Sequence, residues 1–213
     1  MKGLLIKDFN LLKNRGIFLL VAIAIYTAFQ LGAFNNEMAV GFATLMIAMF
    51  SFTTITYDEY ENGMPFLFTL PIQRIDYVRE KYLFGFVVAT VTWVIMGTAC
   101  FLFDTSIWSD GGGNFLDKLA VCVAYLIVVY FIISLQIALH LKFAERSSII
   151  SLVIAGIISV FFLIAYASSE CRAIFMKLDL NWTAVAVVGV IVLFALMFVF
   201  YRWSVRIMEK REF

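Results

Sequence analysis

Apolar and polar positions alternate along this chain in long blocks. Six apolar runs, about Ile17–Phe34, Met38–Tyr57, Leu83–Phe103, Leu119–Leu141, Ser147–Ala167 and Trp182–Tyr201, are separated by short polar segments. A helix rises about 1.5 Å per residue, so a hydrocarbon core of about 30 Å is crossed by about 20 apolar residues. Each run is close to that length, and none contains Asp, Glu, Lys or Arg. The pattern predicts an all-α integral membrane protein with six transmembrane helices, built as a single domain over residues 1–213.

Two segments depart from this rhythm. The first, "MKGLLIKDFNLLKNR", is helical in period but mixed in polarity. Leu5, Phe9 and Leu12 share one face; Lys7, Asn10 and Asn14 share another. It predicts an interfacial helix over residues 1–16, with its lysines reaching lipid headgroups. The second, "YDEYENGMPFLFTLPIQRIDYVREKY", holds both prolines of the chain and eight of its 31 charged residues. Within it, "MPFLFTLPI" is apolar but far too short to span.

Composition supports the membrane reading. The chain is 63% apolar and 15% charged, with a mean hydropathy of +0.97; soluble domains are about half apolar and about a quarter charged. A net charge of +1 gives no electrostatic footprint for nucleic acid. The placement of the charges says more. With the N-terminus inside, 13 of the 16 Lys and Arg residues fall in inner segments, leaving Lys118, Arg172 and Lys177 outside. This bias predicts that both termini are cytoplasmic and that residues 58–82 form the one substantial inner loop between spans.

Several chemistries are excluded. No Lys follows a Gly, so no phosphate-binding P-loop can be written. His140 is the only histidine and Cys100, Cys122 and Cys171 are scattered, so neither a metal site nor a catalytic triad assembles. No catalytic residue, metal ligand or cofactor is expected in this chain. The apolar runs carry no ionisable side chain of the kind ion-coupled carriers use. A transporter of this composition takes its energy from another chain. Polar but uncharged Gln30, Thr44, Ser51 and Thr54 are the candidates to line a pathway. Helix–helix hydrogen bonding is the alternative role for them.

The inner loop is constrained by its prolines. Pro65 suits a first helical turn, after Asn62 and Gly63, and Pro71 disfavours helix at Leu70. The short helix so defined offers Met64, Phe66, Leu67, Phe68 and Leu70 to the cytoplasm. Such an apolar patch needs a cover. The acidic Asp58, Glu59 and Glu61 beside it favour a soluble partner over an anionic leaflet.

Asp58-Glu59, Leu70-Pro71-Ile72, Arg74, Tyr77-Val78 and Lys81-Tyr82, together with "LLIKDFNLL" near the N-terminus, resemble the signature of the ABC type-2 exporter permeases. The nearest pattern is that of the short subgroup common in Gram-positive bacteria. Gln73 stands where that pattern has Ser, and Gly63 where an aromatic is common. The resemblance implies a permease paired with a second copy, homodimer or sister, in a bacterial plasma membrane. It also implies a separate cytoplasmic ATPase that carries the ATP and Mg. Residues 58–82 would hold a coupling helix seated in that ATPase, through Glu59, Glu61, Met64, Phe66, Leu67, Phe68, Leu70 and Arg74. An amphipathic or hydrophobic cargo, a small peptide toxin or antimicrobial peptide first, suits the weakly polar lining. The rival reading is a membrane scaffold that holds a soluble partner without transport.

Overall fold

The computed structural model describes residues 2–14, 36–60, 63–103, 115–143, 150 and 182–211. These form seven helices and no strand: α1 (Lys2–Asn14), α2 (Asn36–Ala48), α3 (Phe50–Glu59), α4 (Gly63–Leu67), α5 (Arg74–Phe103), α6 (Phe115–Phe143) and α7 (Trp182–Lys210). Among them, four stretches are long and apolar enough to cross a membrane: Ala39–Glu59, Arg74–Leu102, Lys118–Phe143 and Val187–Lys210. The expected first span lies outside the described residues, as does the fifth except for Ile150.

The second expected span is built from α2 and α3, joined at Met49. The join is slight. Met49 keeps helical torsions (φ −60°, ψ −20°), and Phe52 N–H donates to its carbonyl at 3.2 Å. Hydroxyls sit on both sides of this join. Thr44 donates to Val40 O, Ser51 to Ala48 O and Thr54 to Ser51 O. Such back-bonding satisfies a hydroxyl in an apolar setting and bends helices.

The third span differs from expectation at its start. The polar "RIDYVREKY" is not a separate helix; it is the first two turns and more of the 30-residue α5. The last span likewise runs past Tyr201 as an unbroken helix to Lys210. Both long helices therefore carry apolar bodies and charged ends.

Helix α5 sits at the centre of the packing, against α2, α6 and α7, while α1 rests on α5 and α3. Gly85 permits a close three-way approach. A Cβ there would meet Ile133 Cγ2 at 2.9 Å and Ser51 Oγ at 3.3 Å, so α3, α5 and α6 converge on a position with no side chain. Ile55, Tyr77, Val78, Ile133, Ile137, Leu141 and Met208 form the core below this crossing. The outward faces of α5 and α7 expose Val87, Val91, Ile95, Val187, Ile191 and Phe198, an apolar surface suited to lipid.

Candidate functional site

The charged ends of α3, α5 and α7 and the middle of α1 come together beside the short helix α4. Its five residues, Gly63–Leu67, are extended by tightening turns. Phe68 N–H donates to Met64 O, Thr69 N–H to Phe66 O and Leu70 N–H to Leu67 O, at 3.1, 3.1 and 3.3 Å. Pro65 lies in the first turn, where its missing N–H costs nothing. Pro71 ends the run.

The side chains expected to face a partner divide into two sets. Met64 is buried in the core, Leu67 and Phe68 are half-buried against it, and the Phe68 ring meets Tyr77 edge-on at 5.9 Å. These three anchor α4. Phe66 is 73% exposed and Leu70 47% exposed. The free apolar face is thus narrower than the sequence implied.

Glu59 and Arg74 are engaged within the chain. Glu59 Oε1 accepts from Arg211 Nη1 at 2.8 Å. Arg74 Nη1 donates to Glu209 O at 2.8 Å and Met208 O at 3.3 Å, occupying carbonyls that the end of α7 leaves without helical partners. Arg79 Nε donates to the Tyr201 hydroxyl at 3.3 Å. The flanks of α4 are thereby tied to the end of the last helix. Of the remaining expected residues, Thr44, Ser51 and Thr54 are buried and back-bonded as above. Glu61 and Gln30 lie outside the described residues.

Gly63 explains one departure from the family pattern. A Cβ there would lie 2.9 Å from the Asp58 carbonyl oxygen, a backbone atom that cannot swing aside. Gly63→Ala should therefore lower stability by about 1–3 kcal/mol through overpacking. Thermal unfolding of the purified chain would read this as a fall in melting temperature; an unchanged value would show that α4 is not held this closely against α3.

A buried ionic knot behind α4 was not anticipated. Lys81, on α5, is 1% exposed. Its ammonium contacts Asp8 Oδ2 on α1, Asp58 Oδ2 on α3 at 2.8 Å, and Thr54 Oγ1 at 3.2 Å. Asp58 Oδ1 is paired with Lys7, and Asp58 Oδ2 accepts from the Tyr77 hydroxyl at 3.1 Å. Glu80 is also buried, with Oε2 3.6 Å from Lys81 Nζ. Next to Lys81 in the chain, the Tyr82 hydroxyl donates to Ser134 O at 3.1 Å and lies 2.9 Å from Ser204 Oγ. It joins α5 to α6 and α7.

The knot fixes how α1 docks. Leu4 and Asp8, one helical turn apart, face inward, while Ile6 and Phe9 are about 60% exposed. Phe9, expected on the face of Leu5, instead points outward. Isolated charges are costly to bury, and only pairing with full hydrogen bonding makes such a cluster tolerable. The return is geometric definition: α1, α3 and α5 are held at one point.

Asp58, Tyr77, Lys81 and Tyr82, scattered in the sequence signature, are neighbours here, and Asp8 comes from the other matching stretch. A family model described as "ABC-2 family transporter protein" matches residues 3–209. The chain belongs to the ABC-2 transporter family. It is a multi-pass membrane subunit, a transport component rather than a catalyst. Comparison with curated proteins and with solved structures found no match. Within this ABC-2 subunit, the knot and the ion pairs flanking the short helix bind four helices together by charge. Among the described residues, no group of three or more His, Cys, Asp or Glu side chains could hold a metal ion.

Proposed function

We propose that this ABC-2 chain is the permease half of an ATP-driven exporter, with a cytoplasmic ATP-binding subunit seated on α4. The observation that carries the reading is Phe66, a large aromatic left 73% exposed on a helix whose other apolar residues anchor it. A rigid mount whose uncovered apolar contacts are Phe66 and, just past it, Leu70 suits the transfer of force from a partner. Displacing α4 would pull on Asp58 and on the carbonyls of α7 held by Arg74. Helices α1, α5 and α7 would then move with it as levers.

Several parts of the reading follow the family pattern. A second copy of the permease would complete the pathway at an interface formed largely by spans one, two and five. The exposed Ile6 and Phe9 of α1 suit contact with lipid at the inner face of a bacterial plasma membrane. With both termini inside, a cysteine replacing Lys118 should be labelled by an impermeant reagent only from outside. One replacing Lys142 should be labelled only from inside, and the reverse pattern would invert the topology.

The cargo is amphipathic or hydrophobic, with small peptides the first candidates. Reconstituted with its ATP-binding subunit in vesicles, the chain should drive ATP-dependent movement of such peptides, and cargo should raise the rate of hydrolysis. ATP turnover indifferent to every amphipathic peptide and lipid tried, with no transport, would favour a scaffold instead.

A further inference from the structure

The knot contains three carboxylates, Asp8, Asp58 and Glu80, but only two ammonium groups, Lys7 and Lys81. Asp8 and Glu80 are each at most 1% exposed, so bulk water does not stabilise the surplus charge. The hydrogen bonds are also incomplete. The three protons of the Lys81 ammonium are matched by Asp8, Asp58 and Thr54. Lys7 and the Tyr77 hydroxyl are directed at Asp58. Neither oxygen of Glu80 and not Oδ1 of Asp8 accepts a hydrogen bond. Yet the Glu80 and Asp8 carboxyls lie against the same Lys81 ammonium, Glu80 Oε2 at 3.6 Å from it.

Two carboxylates are acceptors only and cannot bond to one another; a carboxylic acid can donate to a carboxylate. One proton therefore corrects both faults at once. It reduces three negative charges to two, matching Lys7 and Lys81, and it converts two neighbouring acceptors into a donor and an acceptor.

We propose that Asp8 and Glu80 form a proton-binding site, sharing one proton between Glu80 and Asp8 Oδ1, which completes the seam between α1 and α5. The charged groups acting on Glu80 are Lys81, Asp8 and Lys7, with Asp58 and Tyr77 behind them. Loss of the proton would leave one uncompensated charge in the knot and loosen α1 from α5. The folded chain would then hold a proton that an exposed glutamate releases well below neutral pH. Its contribution is fully present below the ordinary glutamate range and is lost as the pH rises from there through the titration of the site.

The test uses the full chain in lipid nanodiscs and does not depend on transport. Infrared difference spectra between the wild-type chain and Glu80→Gln at mildly acidic pH should show the carbonyl stretch of a protonated carboxyl only in the wild type. The band should fade in alkaline buffer. Over the same range the wild-type melting temperature should fall while that of Glu80→Gln, whose amide can donate to Asp8 without titrating, stays level. Absence of the band, an alkaline fall shared by Glu80→Gln, or a sodium-dependent melting temperature without the band would overturn the proposal. So would failure of Glu80→Gln to fold at neutral pH, since glutamine reproduces the protonated form.

Discussion

Replacing Lys81 by methionine should destabilise the chain by about 3–5 kcal/mol, the range found when one partner of a buried ion pair is removed. Methionine approximates the volume of the lysine stem, so the loss is electrostatic. Asp8 and Asp58 are left facing each other with only the half-exposed Lys7 to compensate. The first consequence should be release of α1, because Asp8 is its deepest polar anchor and, among its described side chains, Leu4 is the one apolar residue fully buried beside it. Thermal unfolding in detergent or nanodiscs measures the overall loss, and protease access to residues 2–14 measures the release. Adding Asp8→Asn and Asp58→Asn to Lys81→Met should recover much of the stability, since neutral groups need no counter-charge. A Lys81→Met chain that melts with the wild type would mean that the knot contributes nothing.

Phe66→Asp should separate partner binding from folding. The side chain is mostly in solvent, so the substitution leaves the core, the knot and the membrane-spanning helices untouched. Burial of a phenylalanine contributes about 1.5–3 kcal/mol, and each 1.4 kcal/mol or so is tenfold in affinity. Losing that contact and placing a carboxylate in an apolar groove should weaken binding of the ATP-binding subunit by about 100-fold or more. Co-purification should fail while membrane insertion and melting temperature are preserved. Phe68→Asp should behave differently. It would disrupt the edge contact with Tyr77 and lower stability as well as binding.

The helices were legible because membrane-spanning segments leave a strong compositional trace. Helices α5, α6 and α7 contain the expected third, fourth and sixth spans. Where expectation and structure part, the cause is polarity at helix ends. Arg74–Lys81 and Arg202–Lys210 fall outside the apolar runs, yet each is continuous with the spanning helix beside it. The prolines located α4 correctly. They could not show that Met64 and Phe68 turn inward, because that depends on what lies behind the helix.

The knot was the least legible part. Asp8, Asp58 and Lys81 are separated by 50 and 23 positions, and each reads singly as an ordinary inner-side charge. One signal was available: Asp58, Tyr77 and Lys81 all belong to the short set of residues that carry the family resemblance. Nothing in the local pattern singled out Glu80, which is flanked by the equally charged Arg79 and Lys81 but is buried where Arg79 is exposed.

The central claim is that an ATP-binding subunit takes hold of this permease at α4. Cysteine cross-linking in native membranes tests it most directly. Single cysteines at Phe66 and, as a buried control, at Met64 would be treated with a short thiol cross-linker and the adducts identified by mass spectrometry. The account predicts that Phe66→Cys captures a protein carrying a nucleotide-binding P-loop and that Met64→Cys does not. Failure of Phe66→Cys to capture such a subunit, in membranes where the transporter is active, would contradict it.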